Sequence, residues 1–340
     1  MMQSDTGSSD DVTALQVSFA GMQMRSPIVA ASGTFGYGHE YSNMFLSLDD
    51  IYSGRFSDFG AIVLKTVTLE PRVGNAPPRT IDTYAGLINS IGLENVGVRR
   101  LVTDHLPAAR GLGTNIVVSI GGRTVEEYGA VADELRPEKL NDPEDYAAVE
   151  VNVSCPNVQE GGLEFGATGE GVASVLKVVR SQIPDRPVIA KLTPNVHNIG
   201  EIAVAAVEAG ASGVSLINTV SALAIDHKTR TSILGASYGG LSGPAIKPIG
   251  LHRVHSAYRA LRGAGLSAPI IGIGGIFSGQ DALEYVVAGA CAVGLGTALL
   301  CNPNIASAIR ADMESFVAEE IAAERISCYS DLVGSLDTSR

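Results

Sequence analysis

Short runs of β-branched and aliphatic residues recur along the chain, each closed by a polar residue or a glycine. Pro27–Gly33, Gly60–Thr66, Asn115–Ser119 and Val149–Val153 are the first four; Val188–Lys191, Gly213–Asn218, Ile270–Gly274 and Ala292–Gly296 complete the set. Most lack the in/out alternation of a half-exposed strand, as strands covered on both faces do. Between them lie stretches with apolar residues at helical spacing: Val125–Leu135, Gly171–Gln182, Ile199–Ala209, Pro248–Leu261 and Gly279–Ala288. Thr124 is placed to cap the first of these, with Glu126 and Glu127 in the turn where the helix dipole favours acids. Strand and helix alternating in this way predict an α/β fold, a (β/α)8 TIM barrel. Leu15–Phe19 and the residues before Pro27 predict a short N-terminal β ribbon under the barrel base.

Three connections break the rhythm. Glu70–Asn95 carries Pro71, Pro77 and Pro78; Asn157–Gly171 carries Gly161-Gly162, Gly166 and Gly169; Val220–Lys247 is rich in Ser, Thr and Gly. Loops of this length in a compact domain usually cover a site. The polar, acidic opening reads as a disordered tail over residues 1–12, leaving 13–340 as a single barrel domain.

The fourth run holds the most suggestive chemistry. After Val149-Glu150-Val151-Asn152-Val153 come Ser154-Cys155-Pro156-Asn157, and Pro156 both removes a backbone donor and disfavours helix before it. A thiol and two carboxamides are thereby delivered at a strand end, where barrels place their chemistry. Taken alone, Cys155 is equally a buried structural cysteine. The other strand ends change the balance: Ser32, Lys65, Ser119, Asn152, Lys191, Asn218, Gly274-Gly275 and Gly296-Thr297 would all meet at one mouth. One lysine there could snorkel to water, but two facing one cavity argue for an anionic or electron-rich ligand. The glycines after the seventh and eighth strands suit a phosphate cradle of backbone N–H groups. Neither G-x-G-x-x-G nor a P-loop occurs in a strand–turn–helix context, so a phosphorylated flavin held in the mouth is the expected redox cofactor.

Charge and cysteine usage narrow the partners. With 24 Lys and Arg against 36 Asp and Glu, the net charge is −12, which opposes a polyphosphate partner; no nucleic acid is expected. The adjacent pair Arg99-Arg100 reads as a solvated helix end. Cys155, Cys291, Cys301 and Cys328 have neither C-x-x-C nor iron–sulfur spacing, so no metal site is expected. With no secretory leader and no run of membrane-spanning length, a soluble, cytoplasmic protein with reduced thiols is expected.

Five motifs together resemble the dihydroorotate dehydrogenases: Lys65–Asn75, Asn89-Ser90-Ile91-Gly92-Leu93-Glu94-Asn95, Asn152–Asn157, Lys191-Leu192-Thr193-Pro194-Asn195 and Gly239-Gly240-Leu241-Ser242-Gly243-Pro244. The resemblance extends from about Leu15 to Gly334. A cysteine at the active-base position resembles the soluble class 1 enzymes. Glu70-Pro71-Arg72-Val73-Gly74-Asn75 and Val158-Gln159-Glu160-Gly161-Gly162 resemble class 1B, a catalytic subunit that pairs with an electron-transfer subunit.

The resemblance implies FMN at the mouth and oxidation of dihydroorotate to orotate in pyrimidine biosynthesis, with Cys155 taking the C5 proton. It assigns Lys65, Asn89, Ser90, Ile91, Gly92, Leu93, Asn152, Asn157, Asn218 and Thr219 to the substrate. It assigns Ser32, Lys65, Thr66, Ser119, Asn152, Lys191, Ile217, Gly243, Gly274, Gly275, Gly296 and Thr297 to the cofactor. Ser119 stands where the family usually has an asparagine, and a hydroxyl can replace one hydrogen bond of that amide but not both. The resemblance further implies a homodimer and a heterotetramer with a subunit carrying FAD and an iron–sulfur cluster, passing electrons to NAD. Two other activities fit the same barrel. One is a class 1A-like enzyme using fumarate; the other, opposed by the charge, is a tRNA dihydrouridine synthase. A barrel retained only for binding fits poorly with Cys155, Lys65 and four asparagines all present.

Overall fold

Eight short parallel strands follow one another round a closed barrel: β3 (Ile28–Ala30), β4 (Ala61–Val63), β7 (Asn115–Ile120), β8 (Ala148–Asn152), β9 (Val188–Lys191), β10 (Gly213–Leu216), β15 (Ile270–Ile273) and β16 (Ala292–Leu295). β16 then pairs with β3, Leu295 opposite Ala30, and so closes the circle. The structure, a computed structural model, describes residues 14–38, 55–154 and 165–339. The tail expected over residues 1–12 lies outside the described residues.

β9 matches its expected run residue for residue, β7 runs one residue longer, β8 is shifted by one toward its start, and the other barrel strands are shorter than their runs. The first loses Pro27, which has no N–H to give the ladder; its carbonyl instead accepts from Val293 N at 2.8 Å. At the exits the ladder ends before Ser32, Lys65 and Asn218, which line the mouth, whereas Asn152 and Lys191 are the last residues of their strands. The helices α1 (Val125–Asp133), α2 (Gly169–Gln182), α3 (Ile199–Glu208), α4 (Lys247–Gly263) and α5 (Gly279–Ala288) pack around the barrel, and α6 (Ile305–Ala322) packs on α5. Thr124 caps α1 as expected, its hydroxyl accepting from Glu127 N at 3.2 Å. The apolar side chains of barrel and helices form one connected core.

At the base, β1 (Val17–Phe19) and β2 (Met22–Met24) form the expected ribbon, turning through Ala20 and Gly21 in the left-handed region (φ 52° and 91°). Phe19 is fully buried and approaches the backbone of Gly213, at the foot of β10.

Two of the long connections are more ordered than expected. The first contains β5 (Thr80–Thr83) and β6 (Gly86–Asn89); the third contains β11 (Val220–Ala222) and β14 (Gly239–Ser242). Together they make a four-stranded antiparallel sheet in the order β11-β14-β6-β5. Two further two-residue strands, β12 (Ile225–Asp226) and β13 (Thr231–Ser232), pair beyond it. These strands were not apparent in the sequence because glycines 86, 239 and 240 and the polar Thr80 and Asp82 dilute the strand signal. Their pairing partners also lie in a distant loop. The helical stretch 98–110 and α6 were likewise not expected. Arg99 and Arg100 are exposed at the terminus of that helical stretch, a solvated helix end as expected.

Asn95 ties the first connection down. Its side-chain oxygen accepts from Thr68 N (3.1 Å) and Gly97 N (2.8 Å), while its amide donates to Thr68 Oγ1 (2.9 Å) and Leu93 O (2.8 Å). The residue is 6% exposed, so water cannot replace these bonds cheaply. Asn95→Ala strands two buried N–H groups, and a loss of about 2–4 kcal/mol in unfolding free energy is expected by denaturant titration. A loss under about 0.5 kcal/mol would show that the bonds are remade elsewhere.

Candidate active site

The strand exits converge on a cavity of about 560 Å³, within the range of small-molecule sites. Twelve residues singled out from the sequence line it: Ser32, Lys65, Thr66, Asn89, Ser90, Ile91, Gly92, Leu93, Asn152, Lys191, Asn218 and Thr219. Cys155 and Asn157 lie outside the described residues. Their strand is in place as far as Ser154, whose hydroxyl donates to Lys191 O at 2.8 Å and locks the β8 exit to the β9 exit.

The floor is built by register. Asn152 stands opposite Lys191, and Lys191 opposite Ser215, so the three lie level on adjacent strands. Asn218 donates to Asn152 Oδ1 at 3.4 Å, and its own Oδ1 accepts from Thr219 N at 2.8 Å. Both carboxamides are thus held from behind with one donor or acceptor edge left for a ligand. On the opposite wall Ser32 donates to Leu64 O (2.8 Å) and lies 3.3 Å from Thr66 Oγ1, which is 2.8 Å from Ser119 Oγ. Ser119 is fully buried behind Thr66 and does not line the cavity. In the place that family resemblance gives to a cofactor-contacting asparagine, it braces the threonine that does line it.

The roof comes from the antiparallel sheet. Asn89, in β6, donates its amide to Gly240 O at 3.2 Å, and Gly240 has no side chain because a Cβ there would overlap the Thr219 hydroxyl. Asn75 donates to Ser90 Oγ at 2.8 Å, and Arg79 bonds Asn75 O (2.6 Å), Val73 O (2.9 Å) and Glu94 (2.6 Å). One guanidinium thereby fixes the whole turn that presents Ser90, Ile91, Gly92 and Leu93.

One strand further round the barrel, Gly296 and Thr297 follow β16, next to Ser32. Thr297 Oγ1 donates to Ser242 Oγ at 2.8 Å. A Cβ on Gly275 (φ 66°) would stand 2.8 Å from Gly243 O, so these two backbones are in close approach. Gly274 O accepts from the phenol of Tyr285 at 2.7 Å, and burial pushes that phenol well up from its usual range. Ile217 is buried against Gly274. Gly243, Gly274, Gly275, Gly296, Thr297 and Ile217 therefore form a cluster beside the cavity, outside its immediate lining. Open space faces Gly296, which leaves its backbone approachable. The cluster is braced by Lys247, paired with Asp281 and with Glu284 (2.8 Å). Burial alone would pull the Lys247 ammonium down; the two carboxylates outweigh it and hold it above its ordinary value.

Electrostatically the cavity is uneven. Lys191 is 6% exposed, and neither it nor Lys65 takes part in an ion pair among the described residues. A buried ammonium without a counter-charge is costly, so the floor is suited to an anionic or electron-rich guest. Glycine backbones at the neighbouring exits and two cations at the floor fit a phosphorylated, electron-accepting ring. Among the described residues no group of His, Cys, Asp or Glu could hold a metal ion, and no helix is long and apolar enough to cross a membrane. Of the described cysteines, Cys301 and Cys328 are exposed, and burial pushes the Cys291 thiol up to about 12; none of the three lines the cavity.

The structure adds residues that sequence reasoning gave no role: Asn75, Asn195, Ser154 and Glu150 also line the cavity. Asn195 donates to Thr219 O (3.1 Å) and Thr193 Oγ1 (3.1 Å) and accepts from Ser221 N (3.0 Å), which positions the β10 exit. The signal for Glu150 is that it is the one carboxylate among the residues of the eight barrel strands.

Comparison with known proteins agrees with this geometry. The family model described as dihydroorotate dehydrogenase matches residues 14–317. The proteins of Desulforudis audaxviator, Desulforamulus reducens and Geobacter sulfurreducens named "Dihydroorotate dehydrogenase B (NAD(+)), catalytic subunit" are 46%, 44% and 43% identical to this chain. The matches cover 89%, 94% and 95% of it, and 92%, 98% and 98% of those relatives.

Proposed function

The chain belongs to the dihydroorotate dehydrogenase family, and from that premise we propose that it oxidises dihydroorotate to orotate in pyrimidine biosynthesis. It acts as the catalytic subunit of an enzyme whose final acceptor is NAD. The observation that supports this best is one cavity lined by Lys65, Lys191, Asn89, Asn152, Asn218 and Thr219, drawn from five separate strand exits and loops. A cyclic diamide with a carboxylate needs this combination: donors and acceptors together, and a cation.

FMN, when bound, supplies the hydride acceptor for C6 of the substrate. Lys191, with the backbone of Gly243, Gly274, Gly275 and Gly296 and the side chains of Ser32, Thr66 and Thr297, would hold it, and the Lys191 ammonium would favour its reduced, more negative form. Lys65 neutralises the substrate carboxylate. Asn89, Asn152, Asn157 and Asn218 bond the ring amides and present C5 to the thiol of Cys155, which takes the proton. An unperturbed thiol, at about 8.5, is mostly protonated near neutral pH, so Cys155 would need a cation, for which Lys65 is the candidate, and exclusion of water to act as the base. The electrons leave through a partner subunit carrying FAD and an iron–sulfur cluster, with the chain itself a homodimer in the cytoplasm.

Anaerobic addition of dihydroorotate to the purified chain is the test. The visible flavin absorbance is expected to bleach at substrate excess, with orotate appearing in equal amount. A chain that carries no flavin, or a flavin that stays oxidised under dihydroorotate, overturns the reading.

A further inference from the structure

Glu150 is the one carboxylate in the barrel wall beneath the cavity, and the reaction as described gives it nothing to do. It is 2% exposed and lines the cavity. Its Oε2 accepts from Ser215 Oγ at 2.7 Å, while Oε1 is buried with no hydrogen-bond partner. A carboxylate oxygen in that state is expensive unless something of opposite charge balances it. Register supplies the candidate. Ser215, which tethers Glu150, stands level with Lys191 on the adjacent strand, and Glu150 lies one inward-facing step below Asn152, which pairs with Lys191 on the other side. Lys191 is itself buried and has no ion-pair partner among the described residues. A buried anion and a buried cation, each otherwise uncompensated, therefore share one cavity floor.

We infer that Glu150 is a positioning residue for Lys191: its carboxylate, held by Ser215, offsets the ammonium and sets how much positive charge the floor presents to the redox cofactor. This rests on the flavin reading above. Because reduction adds negative charge to the ring, a carboxylate beneath it restrains reduction, and removing that charge makes reduction easier.

The test is the flavin midpoint potential, read by equilibrating holoprotein with reference dyes. Glu150→Gln keeps the shape and the acceptor for Ser215 but removes the charge. It is expected to shift the reduced-to-oxidised ratio at a given potential at least about tenfold toward reduced, about 30 mV for a two-electron couple. Glu150→Asp, which keeps the charge, is expected to stay within about threefold of the native ratio. A well-folded Glu150→Gln with the native ratio overturns the inference, as does Glu150→Asp moving as far as Glu150→Gln. If Glu150→Gln does not fold, the double variant Glu150→Gln/Lys191→Gln, which removes both charges, is expected to fold; its failure also overturns the inference. Wild-type protein that binds no flavin sinks the functional reading, whereas bound flavin indifferent to Glu150 sinks this inference alone.

Discussion

Replacing Cys155 by alanine is expected to leave the protein yellow while slowing flavin reduction by dihydroorotate at least ~10²-fold in anaerobic stopped flow. The argument separates binding from proton transfer. The described groups assigned to FMN and to the substrate ring sit at the exits of β3, β4, β8, β9, β10, β15 and β16 and on the roof sheet, and many are held by bonds that do not involve the thiol. Alanine should therefore cost little affinity. What it removes is the proposed base at C5, and a positioned base typically contributes ~10²–10⁴-fold. Cys155→Ser, whose hydroxyl of similar reach ionises far less readily than a thiol, should fall between alanine and the native enzyme at neutral pH and recover as pH rises. A variant without the thiol that reduces its flavin at the native rate would remove Cys155 from the mechanism.

Gly275→Val is the second large effect. Gly275 has φ 66°, a region in which a β-branched residue is a true outlier. Its Cβ would also stand 2.8 Å from Gly243 O and 2.9 Å from Lys247 Cβ. Neither neighbour can retreat easily: the first is backbone, and Lys247 is anchored by Asp281 and Glu284. Strain of this kind costs about 1–3 kcal/mol, and the turn can relieve it only by moving the backbone assigned to the phosphate. FMN affinity of the apoprotein, followed by fluorescence quenching, is expected to fall at least ~10-fold. The barrel itself should still melt cooperatively. Unchanged affinity would place the phosphate elsewhere.

The barrel was legible because each strand is a local signal, a mostly aliphatic run of four to seven residues bounded by Gly or a polar group, and the parallel order follows from strand–helix alternation. Lys65, Lys191, Asn152 and Asn218 were legible for the same reason, since a strand end fixes where its last side chain goes. The roof was not. Gly86, Gly239 and Gly240 are strand residues only because two remote loops pair, and Gly240 is glycine because Thr219 occupies its side-chain space. Ser119 was legible as a position but not as a neighbour; only packing shows that it faces Thr66. Glu150 stands in the sequence as one residue of an alternating strand, and that pattern shows that a residue points inward without showing that its carboxylate oxygen lacks a partner there.

The roof sheet also bears on how the chain is made. Asn89 and Gly240 are 151 residues apart, which at 5–20 residues per second means roughly 8–30 s of translation during which β6 has emerged and β14 has not. For that interval the hairpin of β5 and β6 offers an open edge to other nascent chains. The ribosome thus releases the cavity-lining asparagine long before its partner, and ribosome-bound intermediates halted between the two segments should be the species that most need a chaperone.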